Sequence, residues 1–315
     1  MKKVVITGVA GFIGSHLADR FIAEGYYVIG IDNFITGKRE NIEHLKNNAN
    51  FQFIEKDLGI EDDLDIKADI ILNFASPASP VDYFKKPIET MRVNAIGTLN
   101  MLKLAKKNNA VFVQASTSEV YGDPEVHPQK EEYFGHVNPV GPRSVYDEGK
   151  RFAEALSMAF FREFGVKVRL IRIFNTYGPR MKADDGRVIP NFINQALKNK
   201  PITIYGDGKQ TRSYCFVDDL VEGIYRVSIK EDIDGEIFNL GNPEEYTIIQ
   251  TAQIIKELTN SNSDFKFLPP LQDDPKRRCP DISKAKTVLD WKPEVSFREG
   301  LEKTIDFFKG KLVNG

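Results

Sequence analysis

The chain has 315 residues, enough for one large domain or two ordinary ones and too many for a disulfide-stapled module. Hydrophobic residues make up 41% and charged residues 28%, and a formal net charge of -2 leaves no overall electrostatic footprint for nucleic acid. Cys215 and Cys279 are the only cysteines, which argues against a disulfide framework and for a reducing compartment, and no Cys/His grouping has the spacing of a zinc site.

The N-terminus MKKVVITG runs straight into a strand pattern without a signal-peptide core. No apolar run approaches the roughly 20 residues that a membrane span needs, so a cytoplasmic protein without a membrane partner is expected. Short β-branched or aromatic runs follow at Val4 to Thr7, Tyr27 to Asp32, Phe51 to Glu55, Asp69 to Asn73, Val111 to Ser116 and Val168 to Ile173. Segments of helical period separate them, among them Ile88 to Lys107 and Tyr146 to Phe164, which is the pattern of a parallel α/β sheet. Past Phe174 the order loosens through NTYGPR, DDGR and YGDGKQTR, and KFLPPLQDDPKRRCP reads as an irregular connection. The tail KGKLVNG is expected to fray, and no internal repeat or low-complexity tract is present.

The first chemical motif is ITGVAGFIGSHL, in which Gly8, Gly11 and Gly14 follow a strand and open a helix. Glycines there let the chain turn tightly, let a pyrophosphate approach the backbone and let the helix pack close to the sheet. The spacing is G-x-x-G-x-x-G rather than G-x-G-x-x-G, and alone it also suits a plain tight turn. Asp32 ends the second strand where an acidic residue accepts hydrogen bonds from an adenosine ribose, and its charge opposes a 2′-phosphate, favouring NAD over NADP. Lys38 and Arg39 leave NADP open. Asp57, after the third strand, is a candidate for the adenine edge or a solvated loop aspartate.

A second feature is QASTSEVYGDP, where Ser116, Thr117, Ser118 and Glu119 crowd together just after an apolar run. Strand-end hydrogen bonding to backbone accounts for Ser116 but not for all four. A third is YDEGK, which puts Tyr146 and Lys150 one helical turn apart on one face. A phenol with an ordinary pKa of about 10 needs a nearby cation to act as a base near neutrality, and an ammonium lowers it by roughly 1 to 3 units. By itself the pair also fits a solvated surface; downstream of a dinucleotide turn it reads as catalytic.

These motifs, with NFASPASP, Asn94, RIFNTYGPR, GDGKQTRSYCFVDD and DDPKRRCPDISKA, resemble the extended short-chain dehydrogenase/reductase family over nearly the whole length. Within it, ASTSEVYGDPEVHPQ, HVNPVGPRSVYDEGKR and NLGNPEEYTI are most similar to the UDP-glucuronic acid decarboxylases. The resemblance implies a Rossmann-type doubly wound parallel sheet over residues 1–174, with 215–246 returning to it. It also implies a smaller interleaved α/β domain from 175–214 and 247–315 that takes the nucleotide sugar. NAD would lie against Gly8, Gly11, Phe12, Ile13, Gly14, Asp32, Asn33, Asp57, Leu58, Ala75, Asn94, Tyr146 and Lys150. Two long helices from each subunit would form a homodimer interface, with Leu99, Leu102, Leu156 and Phe160 as its apolar candidates.

The implied reaction gives the polar cluster its use. Thr117 and Tyr146 would flank the C4 hydroxyl of UDP-glucuronate, with Tyr146 removing its proton while hydride passes to NAD. A ketone at C4 makes the substrate a β-keto acid, so carbon dioxide can leave before the same ketone is reduced to give UDP-xylose. Glu119 is the candidate for proton movement at C5, alone or through water, and Ser118 for steering the sugar. The related 4,6-dehydratases typically carry an aspartate in the Ser118 slot, and related epimerases usually lack Glu119. Asn175 and Arg212 match diphosphate contacts, Arg278 rather than Arg277 is expected to face the sugar carboxylate, and Tyr83 either lines the sugar pocket or packs a helix start. His16, His44, His127 and His136 have no metal or triad spacing, and no metal is expected. Alternatives are release of the 4-keto pentose with NADH, a 4,6-dehydratase, and a non-catalytic nucleotide-sensing module.

Overall fold

The computed structural model describes residues 1–60, 64–270 and 277–313. The chain begins β1 (Lys3–Thr7), α1 (Phe12–Ala23), β2 (Tyr27–Asp32), β3 (Phe51–Glu55), β4 (Ile70–Asn73), α2 (Pro80–Lys85), α3 (Pro87–Arg92), α4 (Thr98–Asn108), β5 (Val111–Thr117), α5 (Ser144–Phe164) and β6 (Lys167–Ile173). It continues β7 (Thr176–Tyr177), α6 (Val188–Leu197), β8 (Ile202–Tyr205), β9 (Thr211–Ser213), β10 (Cys215–Phe216), α7 (Val217–Ile229) and β11 (Ile237–Leu240). Last come β12 (Glu245–Thr247), α8 (Ile248–Leu258), β13 (Phe265–Leu268), α9 (Ser283–Leu289) and α10 (Phe297–Val313).

Seven strands form one parallel sheet in the order β3-β2-β1-β4-β5-β6-β11. Strand order reverses beside β1, which opens a crevice at the carboxyl ends of the strands. Both faces of the sheet are covered at its centre, so the central strands β1, β2 and β4 are largely apolar and period two sorts their side chains. Val4, Ile6, Leu72 and Val113 join one core cluster, while Val5, Ile71 and Phe112 join the other. No helix among the described residues is long and apolar enough to cross a membrane.

Several expected segments differ in detail. The helix expected over Ile88 to Lys107 is α3 and α4 joined by a π-helical turn, Val93–Gly97. Leu102 is fully buried among residues of its own chain, and Leu156 and Phe160 are half-buried against that same cluster. Phe265–Leu268 pairs in parallel with β8, so the connection expected from Lys266 begins as a strand. Residues 271–276 of that connection and 314–315 of the tail lie outside the described residues.

The helix that carries Tyr146 owes its placement to a buried stripe. Tyr146, Gly149, Lys150, Ala153 and Ser157 recur at helical spacing along α5 and turn inward. Gly165 ends the helix at φ +66, a left-handed conformation that glycine adopts without strain.

Candidate active site

A cleft of about 630 Å³ lies across the carboxyl ends of the sheet strands and continues against β9, α6 and Arg278. Gly8 opens one end at φ +72, and a Cβ on Gly14 would stand 2.1 Å from the Gly8 carbonyl oxygen, so only glycine lets α1 sit this close to the turn. Gly11, Phe12 and Ile13 line the same end. Asp32 is buried and its carboxylate accepts from the Ala10 amide at 2.9 Å and the Phe34 amide at 2.8 Å. Burial raises its pKa, and those amides oppose the rise. Asn33, Lys38, Asp57, Leu58 and Ala75 also reach the cleft, whereas Arg39 is paired with Glu55 at 2.7 Å. The glycine cradle, the bare helix N-terminus and the carboxylate at the end of β2 fit the pyrophosphate and ribose of a dinucleotide.

Asn94 stands one layer behind the wall. Its amide donates to the Thr90 carbonyl at 2.9 Å and to Ser76 Oγ at 3.0 Å, and its side chain packs on Gly149 beside Lys150. Thr7 ties the strand ends together from below, with Oγ1 accepting from the Phe74 and Ala75 amides at 2.9 and 3.0 Å.

Tyr146, Thr117 and Lys150 meet in the middle of the cleft. Lys150 Nζ donates to the Ala115 carbonyl at 2.9 Å and lies 5.8 Å from the Tyr146 ring centroid. Burial pushes the lysine down to about 8. The Tyr146 phenol moves up, chiefly through burial and then through the charge of Glu119, while a hydrogen bond with Thr117 and the charge of Arg187 pull the other way. The downward shift expected from Lys150 is not among these effects, and desolvation sets the direction. Tyr83 stacks on Tyr146 with centroids 5.2 Å apart, and its buried hydroxyl has no hydrogen-bond partner among the described residues.

Glu119 is held by two guanidinium groups. Arg278 makes a two-pronged pair, Nη1 to Oε1 and Nη2 to Oε2, the latter at 3.0 Å, and Arg143 Nη2 reaches Oε2 as well. Burial opposes ionisation, but the two arginines prevail and hold the carboxyl well below its ordinary value. Arg143, the residue just before α5, lies within the HVNPVGPRSVYDEGKR stretch without a role of its own there; its ion pair with Glu119 reveals one. Ser118 is buried at the cleft wall with no acid in its place. Asn175 and Arg212 line the far end, and Arg212 Nη1 also donates to the Thr211 carbonyl at 2.8 Å.

The neighbouring residues separate from this group. Ser116 donates to Glu154 at 2.5 Å, and Glu154 pairs with Arg172 at 2.8 and 2.9 Å, so this hydroxyl belongs to a structural network. Arg277 turns outward to His127 Nε2 at 2.8 Å and Glu245 at 3.6 Å. His127, Glu245 and Cys279 offer ligand atoms within 4.8 Å of one another, but the Arg277 cation already adjoins that group.

The family profile for GDP-mannose 4,6 dehydratase matches residues 5–304. UDP-glucuronic acid decarboxylase 1 of Danio rerio is 53% identical over 311 residues, covering 99% of this chain and 73% of that protein. UDP-glucuronic acid decarboxylase 1 of Arabidopsis thaliana is 51% identical, covering 99% of this chain and 71% of its own. Among solved structures, the UDP-glucuronic acid 4-epimerase of Bacillus cereus in complex with UDP-glucuronic acid and NAD superposes with a TM-score of 0.88 at 31% identity, covering 98% of this chain and 99% of that one. The chain therefore belongs to the UDP-glucuronic acid decarboxylase family, within the extended short-chain dehydrogenases/reductases.

Proposed function

We propose that the protein is an NAD-dependent UDP-glucuronate decarboxylase that forms UDP-xylose. The observation that carries this reading is the meeting of Tyr146, Thr117 and Lys150 with Glu119 and the buried Arg278 in one cleft, in a chain 53% identical to a decarboxylase. Tyr146 takes the proton of the C4 hydroxyl, and Thr117 holds that oxygen in line. Gly8, Gly11, Gly14 and Asp32 would hold NAD, which when bound would supply the hydride acceptor for C4 and a positive charge that favours the Tyr146 phenolate. The C5–C6 bond then breaks, its electron pair moving toward the C4 carbonyl oxygen as carbon dioxide leaves. Glu119 stays ionised between its arginines, so it accepts rather than donates, and the proton for C5 travels by water. Tyr146 returns its proton as C4 is reduced again. Ser118, in place of an acid, avoids repelling the substrate carboxylate and leaves nothing to protonate a departing C6 hydroxyl, which disfavours a dehydratase.

The sugar nucleotide is assigned to residues 175–214 and 247–315, with Asn175 and Arg212 on its diphosphate. The pairing of β11 with β6 supports the return of 215–246 to the sheet domain. A homodimer is proposed through α3 and α5, where Ile88, Met91 and Phe152 are 69%, 44% and 50% exposed. Sedimentation at micromolar concentration tests this, and a monomer alone would rule it out. The two unpaired cysteines suit a reducing cytoplasm.

Incubation with UDP-glucuronate and NAD, with NMR of the products and NADH absorbance in parallel, tests the reaction. UDP-xylose without accumulating NADH is expected. A 4-keto pentose with stoichiometric NADH would replace it by the release reaction, and a product that keeps the carboxylate would overturn it.

A further inference from the structure

We infer that Arg143 is a positioning residue that keeps Glu119 paired when Arg278 turns to the carboxylate of the substrate, and so selects a sugar acid over a neutral sugar. The inference rests on the functional reading above and adds a residue that it does not use. Glu119 is reached from two directions: Arg143 stands just before α5, and Arg278 comes from the far segment after β13. All three side chains are largely enclosed, at 18%, 5% and 17% exposure for Arg143, Arg278 and Glu119. Two guanidinium groups on one carboxylate leave a surplus positive charge, and an enclosed surplus charge is costly until an anion matches it.

A uronate brings that anion. With it bound, two arginines face two carboxylates, whereas a neutral hexose leaves the surplus standing. The division of labour follows from the second partners. Arg143 Nε lies 3.9 Å from Asp147 Oδ2 one helical turn on, which ties Arg143 to the start of α5. Asp147 balances that charge incompletely: its Oδ1 has no partner among the described residues, and burial followed by the Glu119 charge raises it to about 7. Arg278 is the guanidinium left to exchange. Without Arg143, Arg278 would have to serve both carboxylates, which would repel one another across it.

The test compares dissociation constants of UDP-glucuronate, UDP-glucose and UDP by calorimetry for the parent 315-residue chain, Arg143→Gln and Arg143→Lys. Arg143→Gln is expected to weaken UDP-glucuronate by about tenfold to a hundredfold, the range for losing a charged hydrogen bond, while UDP-glucose and UDP stay within about twofold. Arg143→Lys restores the charge and is expected to recover part of the preference. Equal weakening of all three ligands would make Arg143 a structural residue and overturn the inference, as would a Gln variant with undiminished preference or a Lys variant no better than Gln. Because the readout is binding, it separates from the reaction. An Arg143-dependent preference for UDP-glucuronate in a protein that forms no UDP-xylose would support this inference and sink the functional reading.

Discussion

The rings of Tyr83 and Tyr146 lie face to face, with 5.2 Å between centroids and 5° between planes. The stack fixes the phenol of Tyr146 over the end of the sheet, and it leaves the Tyr83 hydroxyl buried without a partner among the described residues. Tyr83→Phe keeps the ring and removes that hydroxyl, so no intramolecular hydrogen bond is lost and Tm should not fall. If the hydroxyl serves the sugar, KM for UDP-glucuronate should rise by about tenfold, as for one lost hydrogen bond. A lower Tm with unchanged KM would assign Tyr83 to packing alone.

Tyr146→Phe removes the proton acceptor and little else. Turnover should drop on the order of a hundredfold to ten-thousandfold, the usual worth of a positioned acid or base. Circular dichroism and UDP affinity should stay near those of the parent protein. Turnover close to the parent value would mean that another group is the base.

Lys150 gives a pH dependence whose sign follows from burial. Its pKa is pushed down to about 8, so the ammonium that supports the phenolate is present below that pH and lost as pH rises through it. The profile of kcat/KM should therefore fall on the alkaline side near pH 8, and Lys150→Met should lower the plateau and abolish that limb. A limb that persists unchanged in Lys150→Met belongs to some other group.

The Glu154–Arg172 pair underlies the same wall. Arg172 also donates to the Tyr121 hydroxyl at 3.0 Å, and that hydroxyl donates to Asn239 at 2.7 Å, linking β6 and β11 through the turn that follows β5. Glu154→Ala strands a guanidinium that is only 10% exposed, and breaking a buried pair this way costs about 3 to 5 kcal/mol. Chemical denaturation should register the loss, whereas a change under about 1 kcal/mol would place the pair among weak surface contacts.

Local signals in the sequence carried the glycine turn, the six strands through Ile173 and the Tyr146–Lys150 pair, because each rests on spacing within one or two elements. Residues that act across elements stayed hidden. Arg143 takes no role from its local spacing and gains one only when Glu119, 24 positions earlier, is seen against it. Leu102 shows the converse limit. Its apolar period announces burial but not which chain covers it, and its own subunit does. The short strands after Phe174 escaped because β7 and β10 have too few residues for a period to show. The expectation for Tyr146 counted the charge of Lys150 alone; enclosure of the phenol, which spacing in the sequence does not show, raises its pKa instead.

The central claim is that one C4 hydride leaves and returns during a single turnover, with Tyr146 moving the matching proton. UDP-glucuronate carrying deuterium at C4 tests it most directly. The expected result is UDP-xylose that retains the deuterium at C4, with no labelled NADH in solution. Loss of the label, or its appearance in released cofactor beside a 4-keto pentose, would contradict the claim.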